Sequence, residues 1–361
     1  MRTISRTIYS IFRPVFSAVA FALSLTALAP PGVQAGDVTL VERGSTLLYP
    51  LFNIWVTDYT KTDPGVNITA NATGSEDGMK KAISGEAQIG ASDVFMSDKE
   101  VEKNSQMLNI PLCISAQMIN YNLPGLNSEK LEFNGTVLAG IYSGKIRDWD
   151  APPIAALNPG LKLPHQPIIP IRRADGSGDT FIFTQFLSFS DATWADNYNY
   201  GTTINWPAVP GSLEATGNEG MVETSQKTPY SVAYIGVSYS AHIANAGLGT
   251  AWIENQSGNF LLPTKESIAA AAAGLGSRTP ADERLCIAFA PGEGAYPLIT
   301  YEYAIVSAKQ TDPVTAAAIR KFLLWTIVPS ETNESYLDSV HFIPLPPHVW
   351  ELSQAQIQMI K

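Results

Sequence analysis

From Asp37 onward the chain keeps switching its hydrophobic period between two and about three and a half. "DVTLVE" (Asp37–Glu42) reads as a strand. After it, Leu48, Leu51, Phe52, Trp55 and Tyr59 recur three and four positions apart. That spacing lines one helix face and predicts a helix starting at Ser45 or Thr46, where a hydroxyl can cap the free N–H groups of the first turn. "VNITAN" reads as a second strand, "TGSEDGMKKAISGE" as a short helix entered through Gly74–Ser75 and closed at Gly85, and "AQIGASD" as a third strand ending at Asp93. Strands alternating with helices predict a mostly parallel, doubly wound α/β sheet.

"PLCISAQMINYNLPG" (Pro111–Gly125) is a long extended run, after which the pattern restarts. Strands such as "IIPIRR" and "YSVAYIGV" follow, with helices such as "TFIFTQFLSF" and "KESIAAAAAG". "YPLITYEYAIV" (Tyr296–Val306) is a second long extended run, and "VTAAAIRKFLLWTI" a final helix. Two long strands bracketing a central block predict two lobes joined by crossover strands. Residues 36–118 and 297–361 would form lobe I, and 119–296 lobe II.

The first residues follow another logic. Arg2, Arg6 and Arg13 precede an apolar run from Phe16 to Ala29, then Pro30, Pro31 and "VQA". This is the order of a secretory signal peptide at residues 1–35, with cleavage expected after Ala35. The run is shorter than the roughly 20 residues needed to cross a bilayer. No cysteine lies near the cleavage site, so a freely soluble periplasmic or secreted protein is expected rather than a lipoprotein.

A net charge of −10 argues against nucleic acid or an anionic membrane as partner. It also means that any anion site must work through local donors. Cys113 and Cys286 are compatible with one disulfide in an oxidising compartment, or equally with two small buried thiols. The histidines, His165, His242, His341 and His348, are scattered, and neither CxxC nor HExxH occurs. Neither a metal nor another cofactor is expected.

Three predicted helix entries share one chemistry: Gly44–Ser45–Thr46, Gly74–Ser75 and "GSGDT" from Gly176 to Thr180. Free N–H groups and a partial positive charge at a helix start attract phosphate-like anions, and a glycine lets the backbone approach closely. Each alone reads first as an ordinary N-cap. Three of them, each just after a strand, point to the ligand crevice at the carboxyl ends of the sheet. Arg173 offers the planar fork that tetrahedral oxyanions accept, or else a salt bridge to Asp175. Asp93 can only accept, so it favours a ligand that carries a proton: phosphate does at neutral pH and sulfate does not. "DGSGD" lacks the final Glu of a calcium loop and the Lys of a P-loop, and none of the entries is a G-x-S-x-G nucleophile elbow. An exported phosphatase would need a nucleophile or metal cluster that the sequence does not display. A binder of sulfate or molybdate would have to tolerate Asp93.

The stretches "GSTLLYPLFNIW", "IGASD", "ISAQMINYNLPG", "LNPGLKLP", "RRADGSGDTFIFTQFL", "GNFLLP", "YPLITYEYAIV" and "VHFIPLPP" run over nearly the whole chain. In them the sequence resembles the periplasmic phosphate-binding proteins of ABC-type phosphate importers, most closely the mycobacterial-like members. The resemblance implies a two-lobed periplasmic-binding-protein fold of type II that holds phosphate in its cleft, performs no catalysis, and delivers the ion to the permease and ATPase subunits of an importer. It implies that Ser45, Thr46 and the N–H of Leu47 form the first anion loop and Ser75 the second. Asp93 would accept the ligand proton, Arg173 would clamp the anion, and Ser177, Gly178 and Asp179 would form the last loop. Asp179 stands where enterobacterial members have threonine, and would add a second acceptor. Glu76 and Asp77, where the family often has small residues, are expected to be solvent-facing charges of a first helical turn.

Overall fold

A computed structural model describes residues 38–361, so the expected signal peptide lies outside the described residues. In chain order the strands are β1 (Val38–Gly44), β2 (Val66–Thr69), β3 (Ile89–Ser92), β4 (Met107–Asn122), β5 (Glu132–Phe133) and β6 (Ile169–Arg173). Then come β7 (Leu213–Ala215), β8 (Ser231–Gly236), β9 (Gly249–Thr250), β10 (Trp252–Glu254), β11 (Phe260–Leu261) and β12 (Ile299–Ser307). The main sheet runs β2-β1-β3-β12-β4-β8-β6-β7, with β9 added beside β4. A small sheet, β11-β10-β5, stands apart from it.

Parallel pairing, expected for most of the sheet, holds in the main sheet only towards its two ends: β1 with β2 and β3, and β6 with β7 and β8. The centre is antiparallel, because β12 lies against both β3 and β4, and β4 against β8. One strand serves both halves. Residues Met107 to Ala116 of β4 pair with β12, whereas Gln117 to Asn122 pair with β8. The chain returns beside the same point, where the amide of Gln117 donates to the carbonyl of Leu298 at 2.9 Å. All but the last residue of β4 is buried, which is why it reads as a continuous apolar run rather than an alternation.

The helix after β1 begins at Tyr49, not at Ser45 or Thr46. Pro50 occupies its first turn, where its fixed φ suits the helix and its missing N–H costs nothing. Ser45–Leu48 instead form a turn in which Ser45 Oγ accepts the N–H of Leu48 at 2.9 Å. Leu51, Phe52, Trp55 and Tyr59 are buried as their spacing predicts. Phe52 and Tyr59 pack against Phe322, with ring centroids 6.0 and 5.1 Å away. In the other half, Phe183 stacks on Tyr234 at 4.6 Å and meets Tyr142 edge-on at 4.7 Å. Each such buried side chain stabilises the fold by about 1.5–3 kcal/mol.

Candidate functional site

Three neighbouring strands deliver one side of the site. β1 leads into the Ser45 turn, β2 into the helix Ser75–Ser84, and β3 ends one residue before Asp93. Gly44 adopts φ +142°, and a Cβ there would overlap the carbonyl of Ala91, so only glycine lets the turn sit on β3. β6 delivers the other side: Arg173 ends it, and Ser177 caps the helix Gly178–Ser190 through its hydroxyl, which accepts the N–H of Thr180.

The two sides meet at Asp93, which is almost wholly buried. Its carboxylate accepts hydrogen bonds from the Ser45 hydroxyl and, at 3.1 Å, from the Ser75 hydroxyl. Gly178 presses against it from the second side, and any Cβ at that position would overlap the carboxylate. Burial first, then the charge of Asp179, pushes the Asp93 carboxyl up to about 7. The Ser45 hydroxyl, a hydrogen bond with Glu302 and the charge of Arg173 pull against that rise.

Arg173 is 4% exposed and makes a fork on two carboxylates. Nε donates to Asp175 Oδ1 at 2.7 Å and Nη1 to Asp179 Oδ2 at 2.6 Å, while Nη2 also reaches Asp175. Although burial opposes its charge, these carboxylates raise the Arg173 pKa further above its ordinary value. Asp179 receives two more donors, Asn218 Nδ2 at 2.7 Å and Gln117 Nε2 at 3.1 Å. Burial raises its pKa, and Arg173, Asn218 and Gln117 oppose that rise. Asn218 also bridges the halves, since its backbone N–H and Nδ2 both donate to Thr46 Oγ1, at 3.2 and 2.9 Å. Beside it, Ser238 Oγ donates to the carbonyl of Leu47 at 2.7 Å.

The structure therefore gathers Ser45, Thr46, Leu47, Ser75, Asp93, Arg173, Ser177, Gly178 and Asp179 around one junction. Among the described residues, the amide N–H groups of Thr46, Leu47, Ser75, Gly178 and Asp179 find no hydrogen-bond partner. Those of Gly178 and Asp179 belong to a helix start, where no intrahelical acceptor exists. The arrangement combines free N–H donors, two serine hydroxyls, a buried guanidinium and one buried carboxylate without its own cation.

Glu76 is a correction. It does not simply face solvent, because its carboxylate accepts from Thr202 Oγ1 at 3.2 Å and Thr203 Oγ1 at 3.1 Å, and its N–H donates to the carbonyl of Gly176 at 3.1 Å. It fastens the Ser75 helix to the Gly176 loop while pairing with Lys80 at 2.5 Å. Asp77 does behave as a half-exposed surface charge, 3.9 Å from Arg43. The sequence reading missed Asn218, Gln117 and Glu302. Each sits in a stretch whose composition suggests only a helix start or a buried strand, and nothing local marks it. Both cysteines are free: Cys113 is buried in β4, and Cys286 donates to Gln185 Oε1 at 2.8 Å.

A family model described as a PBP superfamily domain matches residues 29–330. The phosphate-binding protein PstS of Methanocaldococcus jannaschii is 32% identical over 343 residues, covering 90% of this chain and 87% of that one. The chain belongs to the PstS family of phosphate-binding proteins. A second member, the phosphate-binding protein PstS 2 of Mycobacterium tuberculosis, is 29% identical over 86% of this chain and 84% of its own. The fold matches that of a high-affinity periplasmic phosphate-binding protein solved with bound phosphate, at a TM-score of 0.71 and 20% identity, covering 88% of this chain and 93% of that one. The family's two-lobed periplasmic-binding fold accounts for the shared strand β4. No helix among the described residues is long and apolar enough to cross a membrane.

Proposed function

We propose that this protein binds inorganic phosphate at the junction between its two lobes and hands it to the permease and ATPase subunits of an ABC-type importer, without catalysing a reaction. The observation that carries the reading is Asp93: a buried carboxylate without a cation of its own, set among serine hydroxyls and free amide donors. An anion site built only from donors would accept sulfate as readily as phosphate. A carboxylate at its centre accepts a hydrogen bond from a protonated ligand oxygen and repels an unprotonated one. A repulsive or unmatched buried pair costs at least about 1–3 kcal/mol, more where charges are involved.

The ligand contacts are assigned to the hydroxyl and amide groups of Ser45, Thr46, Leu47, Ser75, Ser177, Gly178 and Asp179, with Arg173 supplying charge. Lobe I comprises residues 36–118 and 297–361, and lobe II residues 119–296. The change of partner along β4 at Gln117 supports that division. The mature chain starts at Gly36, works in the periplasm and is monomeric when free.

Isothermal titration with phosphate and then sulfate tests the reading. Tight phosphate binding with weak sulfate binding is expected, and equal affinity for both would overturn it. Release of p-nitrophenol from p-nitrophenyl phosphate would instead favour a phosphatase.

A further inference from the structure

Glu302 has no part in the assembly above, yet it lies directly behind Asp93. It is fully buried on β12, where pairing with β4 slips between Glu302 and Tyr303, from Cys113 to Pro111. A bulge of this kind re-aims the side chains beside it. Ser115 Oγ donates to Glu302 Oε1, and the antiparallel register that puts Tyr303 opposite Ser92 sets the Glu302 carboxyl beside that of Asp93. Glu302 Oε2 is buried and takes no hydrogen bond from an N–H or O–H group among the described residues. Two residues earlier on the same strand face, Thr300 Oγ1 donates to the Asp93 carbonyl at 2.8 Å.

Two touching carboxyls in a dry site cannot both carry charge, so one keeps a proton. Asp93 has two hydroxyl donors and the field of Arg173, whereas Glu302 has one hydroxyl. The proton therefore rests on Glu302, and the unpartnered Oε2 becomes an O–H donor. We propose that Glu302 stays protonated and donates from Oε2 to Asp93, so that a carboxyl pair, not Asp93 alone, reads the protonation of the bound oxyanion. Glu302 is a positioning residue in this scheme, acting through Asp93 and never touching the ligand.

The charged and titratable groups facing the pair are Arg173 and Asp179 from the second lobe and the Cys113 thiol on β4. Burial, reinforced by the Asp93 charge, holds the Glu302 pKa well above the ordinary carboxyl range. Three states follow. Below about pH 7 both carboxyls are protonated. Above it the pair holds one proton, on Glu302, and Asp93 accepts from the ligand. At alkaline pH Glu302 ionises as well, and a second negative charge faces the anion.

The inference rests on the reading of Asp93 as the acceptor of the ligand proton, and its test has one arm that does not. Phosphate and sulfate affinities would be titrated from mildly acidic to strongly alkaline pH for wild type, Glu302→Gln and Glu302→Leu. Wild type should lose phosphate affinity at alkaline pH, by up to about tenfold per pH unit. Glu302→Gln, whose amide still donates, should keep the neutral-pH affinity and lack the alkaline fall. Glu302→Leu should lose phosphate affinity at neutral pH. An alkaline fall unchanged in Glu302→Gln, or a wild-type neutral affinity in Glu302→Leu, would overturn the proposal. The independent arm is infrared spectroscopy of the ligand-free protein at neutral pH. The carbonyl band of un-ionised carboxylic acids, to which the buried Glu42 and Glu283 also contribute, should lose one component in Glu302→Gln, and identical spectra of wild type and variant would overturn the proposal whatever the ligand proves to be.

Discussion

Asp93 and Asp179 are both buried carboxylates at the same junction, and their neighbours give them opposite jobs. Asp179 is held by nitrogen donors from Arg173, Asn218 and Gln117. These donors are planar and fixed, so the carboxylate is an anchor that orients the guanidinium. Asp93 is held by hydroxyls from Ser45 and Ser75 and by the Glu302 carboxyl, with no cation in contact. A hydroxyl rotates and carries both a donor and lone pairs. Ser45 and Ser75 can therefore turn their protons towards Asp93 or towards a ligand, and Asp93 remains free to accept from something else. On the proposed reading, the same side chain serves as scaffold or sensor according to whether its partners can turn.

Removing the guanidinium that Asp179 anchors should have the largest effect. Arg173→Met leaves Asp175 and Asp179 buried without their cation, and breaking a buried pair in this way costs about 3–5 kcal/mol. Denaturant unfolding should show that loss, and titration should show phosphate binding all but abolished. Arg173→Lys keeps the charge but loses the fork. Its affinity should also drop, and unchanged binding would mean that the guanidinium serves only the fold.

Neutralising the sensor should act on selectivity more than on stability. Asp93→Asn replaces a repulsive acceptor with an amide, so sulfate should bind far better relative to phosphate. The phosphate-to-sulfate ratio should fall by about a hundredfold, equivalent to about 3 kcal/mol. An unmoved ratio in competitive titrations would shift the proton-reading role to Asp179. The same variant tests linkage. A carboxyl raised from 3.8 to about 7 on folding favours the folded state below its unfolded pKa, and that contribution is lost as pH rises towards 7. Wild type should lose stability over that window, and Asp93→Asn should lack this component.

A smaller effect is expected from pH alone. As pH rises through about 7, Asp93 ionises and stops being able to donate to sulfate. The wild-type phosphate-to-sulfate ratio should climb, by up to about tenfold per unit. The ligand's own titration is common to wild type and Asp93→Asn, so the difference between their profiles isolates Asp93. Profiles that run in parallel would contradict the assignment.

The smallest change should come from Glu76→Gln, which weakens the link to Thr202 and Thr203 without touching either carboxylate. A loss of about 0.5–1.5 kcal/mol is expected, seen as a few-fold fall in phosphate affinity. A change in the sulfate ratio would show that Glu76 reaches the sensor after all.

Much of this architecture was written locally. The apolar face of Leu51, Phe52, Trp55 and Tyr59, the glycine stop at Gly85 and the two long apolar runs follow from period and turn chemistry, which act over a few residues. The Gly–Ser entries and the Asp at the end of "IGASD" likewise pointed to an anion site, although the first entry folds as a turn ahead of its helix and only the other two open helices directly. The first helix began late because Pro50 restarts the geometry, a detail that an apolar count passes over. What the chain could not disclose is which groups meet. Glu302 and Asp93 are 209 positions apart in sequence, and Asn218 reaches Thr46 across 172. Glu76 looked like a surface charge until the Gly176 loop came to rest on it. Side-chain pairing of this kind is decided only when the sheet brings distant stretches of the chain side by side, as β12 does between β3 and β4. Burial then fixes the protonation of Asp93 and Glu302, because it is the fold that removes the water that would have kept both ionised.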